Sequence, residues 1–129
     1  MNSNNLDRWH RVVFEEDRDL LTELLDETVE FHSPTLWKPK SGAQVTHFIL
    51  TSVLEIFQDF RYHREWVEGN DMALEFSTKV LDKNIKGIDL IKWNDEGKIV
   101  HFEVLIRPLN GLQALYEEMS ARLIKAGLA

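Results

Sequence analysis

Residues 86–109, KGIDLIKWNDEGKIVHFEVLIRPL, read as two long apolar strands joined by a tight turn, with a carboxylate, Asp89, in the middle of the first. An ionised carboxylate buried without partners costs more than a domain of this size can spare. Asp89 must therefore be paired, neutral, or turned toward a cavity. Alternation puts it on one face with Gly87, Ile91 and Trp93. A desolvated Asp89 would have a raised pKa and could donate a hydrogen bond to a ligand carbonyl. The bland reading is a structural carboxylate held by the Trp9 indole N–H, by Ser33 or by a buried water.

Other groups could do chemistry in principle. His32, His63 and His101 could be joined by Glu103 around a metal, but ligands must converge, and His101 and Glu103 fall on the strand face opposite Val104. Nothing in the pattern puts His63 beside them, so no metal is expected. His32 precedes Ser33, but adjacent side chains in an extended EFHSP segment point to opposite faces, which argues against a His–Ser pair. No motif implies a cofactor.

The elements that must position these groups follow from periodicity. Leu6, Trp9, Val12 and Val13 share a helical face, and Leu20, Leu21, Leu24 and Leu25 repeat the spacing after an acidic break. TVEFHSP reads as a short strand ended by Pro34, followed by a loop punctuated by Pro39 and Gly42. A third helix carries Val45, Phe48, Ile49, Ser52, Val53, Ile56 and Phe57 inward. From Asp59 the period becomes 2, and turn signals at 68–71, 82–84 and 94–97 divide the chain into four antiparallel strands. Which of Tyr62 and His63 points inward stays open. Asn110 is expected to cap a last helix with Gln113 in a capping box, and Leu112, Leu115, Met119 and Leu123 form its stripe.

Helices followed by a run of strands indicate an α+β fold, with a curved antiparallel sheet wrapped on the N-terminal helices and an extra C-terminal helix. A single domain over 1–129 is the size expectation. Ile88 and Leu90 point away from Asp89, so the convex sheet face has an apolar centre, and a homodimer would bury it. The net charge is −7, from 22 acidic and 15 basic residues without a basic cluster, which argues against nucleic acid and anionic membrane. The chain has no cysteine and hence no thiol chemistry. It opens without an apolar leader, and a cytoplasmic location is expected.

LLDETVEFHSP, GIDLIKWNDEGKI and IRPLNGLQALYEEM together resemble the SnoaL-like proteins and ketosteroid isomerases of the nuclear-transport-factor-2-like superfamily. The resemblance spans essentially the whole chain. It implies a cone formed by a bent sheet and helices around a largely apolar pocket for a small hydrophobic molecule. Ketosteroid isomerases combine a carboxylate base with an oxyanion hole made of a tyrosine and a protonated aspartic acid. Asp89 falls in the place of that acid, Trp9 in the tyrosine's place and Ser33 in the base's place. These three are the catalytic candidates, although a serine cannot take a carbon-bound proton unaided, so steroid isomerisation itself is not implied. The arginine and aspartates of limonene epoxide hydrolase have no match. SnoaL-type cyclases carry an aspartate on the last strand where this chain has Val104. Expected pocket residues are Phe31, Trp37, Phe48, Phe76, Thr78, Trp93, Phe102 and Val104. Two functions stay open, a cyclase- or isomerase-type enzyme using Asp89 and a non-catalytic binding or dimeric interaction module.

Overall fold

A computed structural model describes residues 2–128 and the side chains of residues 4–128. Helix α1 (Asn2–Phe14) and helix α2 (Arg18–Leu24) lead into strand β1 (Leu25–His32) and a two-residue strand β2 (Lys40–Ser41). Helix α3 (Ala43–Ile56) precedes the meander β3 (Gln58–Glu68), β4 (Asp71–Val80), β5 (Lys83–Trp93) and β6 (Ile99–Arg107), and helix α4 (Leu109–Lys125) closes the chain. The fold is α+β, with one curved, unclosed six-stranded sheet ordered β2-β1-β6-β5-β4-β3.

The four-strand meander matches the period-2 reading, with Leu74, Phe76, Thr78 and Val80 buried along one face of β4. Strand β1 pairs with the short β2 on one side and lies parallel beside β6 on the other, so the first strand also joins the last. Leu25, expected on the second helix, instead starts β1 after Asp17 caps α2 by accepting the Leu20 N–H. Strand β2 was not foreseen.

The expected capping box on the last helix is absent. The helix starts at Leu109 with Pro108 as its cap, Asn110 Oδ1 accepts only from Gly111 N–H, and Gln113 turns to Glu117. Proline before a first helical turn wastes no donor there, which explains the earlier start. The helix still packs Leu115 into the core, with Met119 and Leu123 against it.

One glycine decides how the inner face of the sheet is filled. A Cβ on Gly87 would lie 2.5 Å from the Leu105 carbonyl oxygen and 2.6 Å from Phe76 Cζ. Its absence lets the Phe76 ring lie across β5, where it stacks on Phe60 at 5.2 Å between centroids. Phe60 in turn meets Tyr62 edge-on at 4.9 Å.

Candidate functional site

Asp89 lies between Leu74 of β4 and Val104 of β6 on the concave face of the sheet and is 6 % exposed. Among the described residues, Tyr62 alone hydrogen-bonds to its carboxyl, the hydroxyl donating to Oδ2 at 2.6 Å. The Trp9 indole N–H donates to that same hydroxyl at 2.9 Å. A chain of donors thus runs from α1 through β3 to the carboxylate. Burial pushes Asp89 up to about 7, partly opposed by the Tyr62 hydrogen bond, so both protonation states are accessible near neutrality.

Tyr62 is held well above the ordinary phenol range by burial and by the neighbouring Asp89, and Glu65 adds to the effect. It therefore stays a phenol. Glu65 is paired with His10 at 2.6 Å, and the His10 ring lies 5.8 Å from the Tyr62 ring. Phe60 and Phe14 meet Tyr62 edge-on, fixing its plane.

Tyr62 is the residue that sequence reasoning did not place. Its partner across the ladder is Phe76, while Glu65 faces Leu74, so three steps on β3 match two on β4. That bulge breaks the alternation of FRYHREWVE, turning Tyr62 inward and leaving His63 outside, 2.7 Å from Ser77 Oγ. Asp59, in the left-handed region at φ 55°, bends the strand start and disturbs the phase again.

The carboxyl opens on a small cavity of about 40 Å³, lined by Trp9, Phe57, Phe60, Tyr62, Phe102 and Val104 among others. A second, outer cavity of about 360 Å³ lies between the loop after β1, α3 and α4. Phe31, Pro34, Val53 and Leu115 line both and stand between them. Helix α4 supplies Leu115, Tyr116, Met119 and Leu123 to the outer wall. The cavities are strongly apolar, and Asp89 is the sole carboxylate in either lining.

The other expected site residues distribute unevenly. Phe31, Phe102 and Val104 line the inner cavity, and Ser33 lines the outer one. Trp9 reaches the site, but its N–H is spent on Tyr62 rather than on Asp89. The Ser33 hydroxyl is engaged with Thr35, accepting that residue's backbone N–H at 3.1 Å in a local turn. Trp37 is 97 % exposed and lines neither cavity, because the Pro34–Pro39 loop carries it outward. Phe48 is half-buried on α3 and also lines neither, since Ile49, Leu50 and Val53 take the inward positions. Phe76 is core beneath Gly87. Thr78 donates to the Gln58 carbonyl at 2.8 Å, and the Trp93 indole N–H meets Met72 Sδ at 3.3 Å, both away from the cavities.

On the convex face, Glu75 is bracketed by Arg64 at 2.8 Å and Lys86 at 3.2 Å, which hold its carboxyl far below the usual range. Beside this triad lie Ile88, Leu90 and Leu105, partly or largely exposed. Among the described residues, Glu103 pairs with His101 at 3.6 Å.

No protein-family model matches the chain, and no curated protein does. Solved structures do match. A steroid delta-isomerase from Pseudomonas aeruginosa is 43% identical over 99% of this chain and 95% of its own, with a TM-score of 0.92. An uncharacterised bacterial protein with a cystatin-like fold from Silicibacter pomeroyi is 39% identical over 93% of this chain and 85% of its own, with a TM-score of 0.88. A nuclear-transport-factor-2-like protein of unknown function from Mesorhizobium loti shares the fold at a TM-score of 0.73 and 18% identity, over 83% of this chain and 91% of its own. No helix among the described residues is long and apolar enough to cross a membrane. With its bent sheet, its helices on the concave side and a relative sharing more than two-fifths of its sequence end to end, the chain belongs to the nuclear-transport-factor-2-like superfamily.

Proposed function

We propose that the protein is an isomerase-type enzyme that binds a small apolar molecule bearing a carbonyl, and that Asp89 exchanges a proton with it. The observation that carries this reading is a buried carboxyl with a pKa of about 7 beside an otherwise apolar cavity. A group with that value is half-protonated at neutral pH, where proton transfer in both directions is most effective. In its ionised form Asp89 accepts a proton from the carbon beside the carbonyl, and the neutral acid so formed returns that proton to the enolate. Tyr62 holds the carboxyl in place and moderates its basicity, and Trp9 orients the Tyr62 hydroxyl. The phenylalanine and valine lining keeps water from competing, and the outer cavity is of a size to take the body of a fragment-sized ligand. The likeness to a steroid delta-isomerase supports this reaction class without fixing the substrate.

A second reading, a non-catalytic binder of the same ligands, is favoured by the lack of a second carboxylate in either lining and by the engagement of Ser33 with Thr35. Hydrogen exchange decides between them. Cyclic ketones incubated with the protein in deuterium oxide are expected to exchange their alpha protons, and Asp89→Asn is expected to slow this by roughly a hundredfold or more. Equal exchange by wild type and Asp89→Asn would overturn the enzyme reading, and tight ketone binding with no exchange in the wild type would establish the binder.

We further propose a homodimer through the convex face, where Ile88, Leu90 and Leu105 form an apolar centre beside the Arg64–Glu75–Lys86 charges. A cytoplasmic location and a single domain fit this reading.

A further inference from the structure

The parallel ladder between β1 and β6 places Glu30 beside His101, Phe31 beside Phe102 and His32 beside Glu103. The two tripeptides, Glu-Phe-His and His-Phe-Glu, are mirror images of each other. Their phenylalanines point into the inner cavity and stack at 6.0 Å, so alternation sends all four flanking side chains to the outer face of the sheet. There the His32 and His101 rings stack at 4.5 Å between centroids, 27° apart. One ligand atom each from Glu30, His32 and His101 lie within 4.8 Å of one another.

We propose that Glu30, His32 and His101 bind a divalent transition-metal ion, zinc(II) being the best match, with Glu103 or water completing the tetrahedron. Tetrahedral zinc with ligand bonds of ~2.0–2.2 Å needs its ligand atoms about 3.4 Å apart. His32 Nε2 and Glu30 Oε1 already stand at 3.3 Å, and the third atom closes by a side-chain adjustment that these partly exposed positions permit. Glu103 Oε1, 3.6 Å from His101 Nε2, is within reach of the fourth position. Two imidazoles with a carboxylate suit zinc, nickel and copper, whereas magnesium and calcium prefer oxygen donors alone. Two neighbouring strands fix the spacing of the four Cα atoms, so little order is lost on binding. The sequence pattern argued against a metal because nothing placed His63 beside His32, His101 and Glu103, whereas the ladder leaves His63 with Ser77 and brings Glu30 to the other three instead.

The consequence reaches the cavity from behind. An ion bridging β1 and β6 on the outer face would clamp the two strands whose inner residues, Phe31 and Phe102, form the cavity wall.

Tag-free protein stripped with a chelator, then titrated with zinc chloride by calorimetry and with cobalt chloride by visible absorption, tests the site. The expected result is saturable uptake of one ion per chain, with tetrahedral cobalt bands and a raised Tm in zinc. His32→Ala and His101→Ala should each weaken binding roughly tenfold or more, and Glu30→Gln should act in the same direction. His63→Ala, on a residue engaged with Ser77 elsewhere, should leave it unchanged. Absence of saturable uptake would overturn the assignment, as would uptake that survives in the doubly substituted His32→Ala, His101→Ala protein.

Discussion

Replacing Asp89 by asparagine should make the protein more stable at pH 8 and leave it little changed at pH 5 relative to that gain. The side chains have nearly the same shape, and the asparagine oxygen can still accept the Tyr62 hydroxyl. What the substitution removes is titration. Asp89 rises from 3.8 to about 7 on folding, so between those values the folded state holds a proton that the unfolded chain has released. Stability therefore falls as pH climbs through that window and levels off above 7. The full rise corresponds, at ~1.36 kcal/mol per pH unit, to about 4 kcal/mol, and the part between pH 5 and pH 8 to about 3 kcal/mol. Urea unfolding of both proteins at the two pH values measures it, since the difference between them cancels every other titrating group. A wild-type-to-variant difference that is the same at pH 5 and pH 8 would show that Asp89 is ionised as easily in the folded protein as outside it. The argument for a poised acid would then fail.

Two further outcomes follow from the same geometry. In Tyr62→Phe the carboxylate loses its one donor among the described residues, so its pKa should move upward from about 7 by roughly one to two pH units, taking ~1.5–3 kcal/mol for a hydrogen bond to a charged group. Carbon-13 NMR titration of the Asp89 carboxyl reads it, and a fall or no change refutes the role given to Tyr62. Leu105→Glu, at a position 49 % exposed on the convex face, should leave the fold intact by circular dichroism and convert the dimer to monomer by light scattering, and an undiminished dimer would move the interface elsewhere.

The parts of the site that were legible in the sequence are those set by unbroken alternation. Asp89, Phe102 and Val104 sit in the stretch of β5 and β6 paired without interruption from Lys86–Arg107 to Lys92–His101, and the pairing of Leu74, Asp89 and Val104 across three strands is what that unbroken phase demands. Tyr62 was not legible because the bulge in β3 and the left-handed Asp59 shift the phase by local geometry that no residue type announces. Trp37 misled for a different reason. A large aromatic ring usually goes inside, but here it rides on a loop between two prolines with nothing to pack against, and its chemistry was read without its address. Glu30 and His32 meet His101 and Glu103 only through a parallel pairing of distant strands, a contact that local pattern cannot reveal.

That pairing also sets when the cavity can exist during synthesis. Phe31 and Phe102 are about seventy residues apart, and closing so long a loop carries an entropic cost that early local contacts do not repay. The β3–β6 meander can form from neighbours as it leaves the ribosome, but β1, beyond its short pairing with β2, must wait for β6 before it joins the main sheet. Until then Trp9 and Phe31 lack the Phe102 ring that both pack against in the finished fold. The nascent protein thus passes through a stage in which the walls of the Asp89 cavity are an open hydrophobic surface, the point in its life at which a chaperone would find the most to hold.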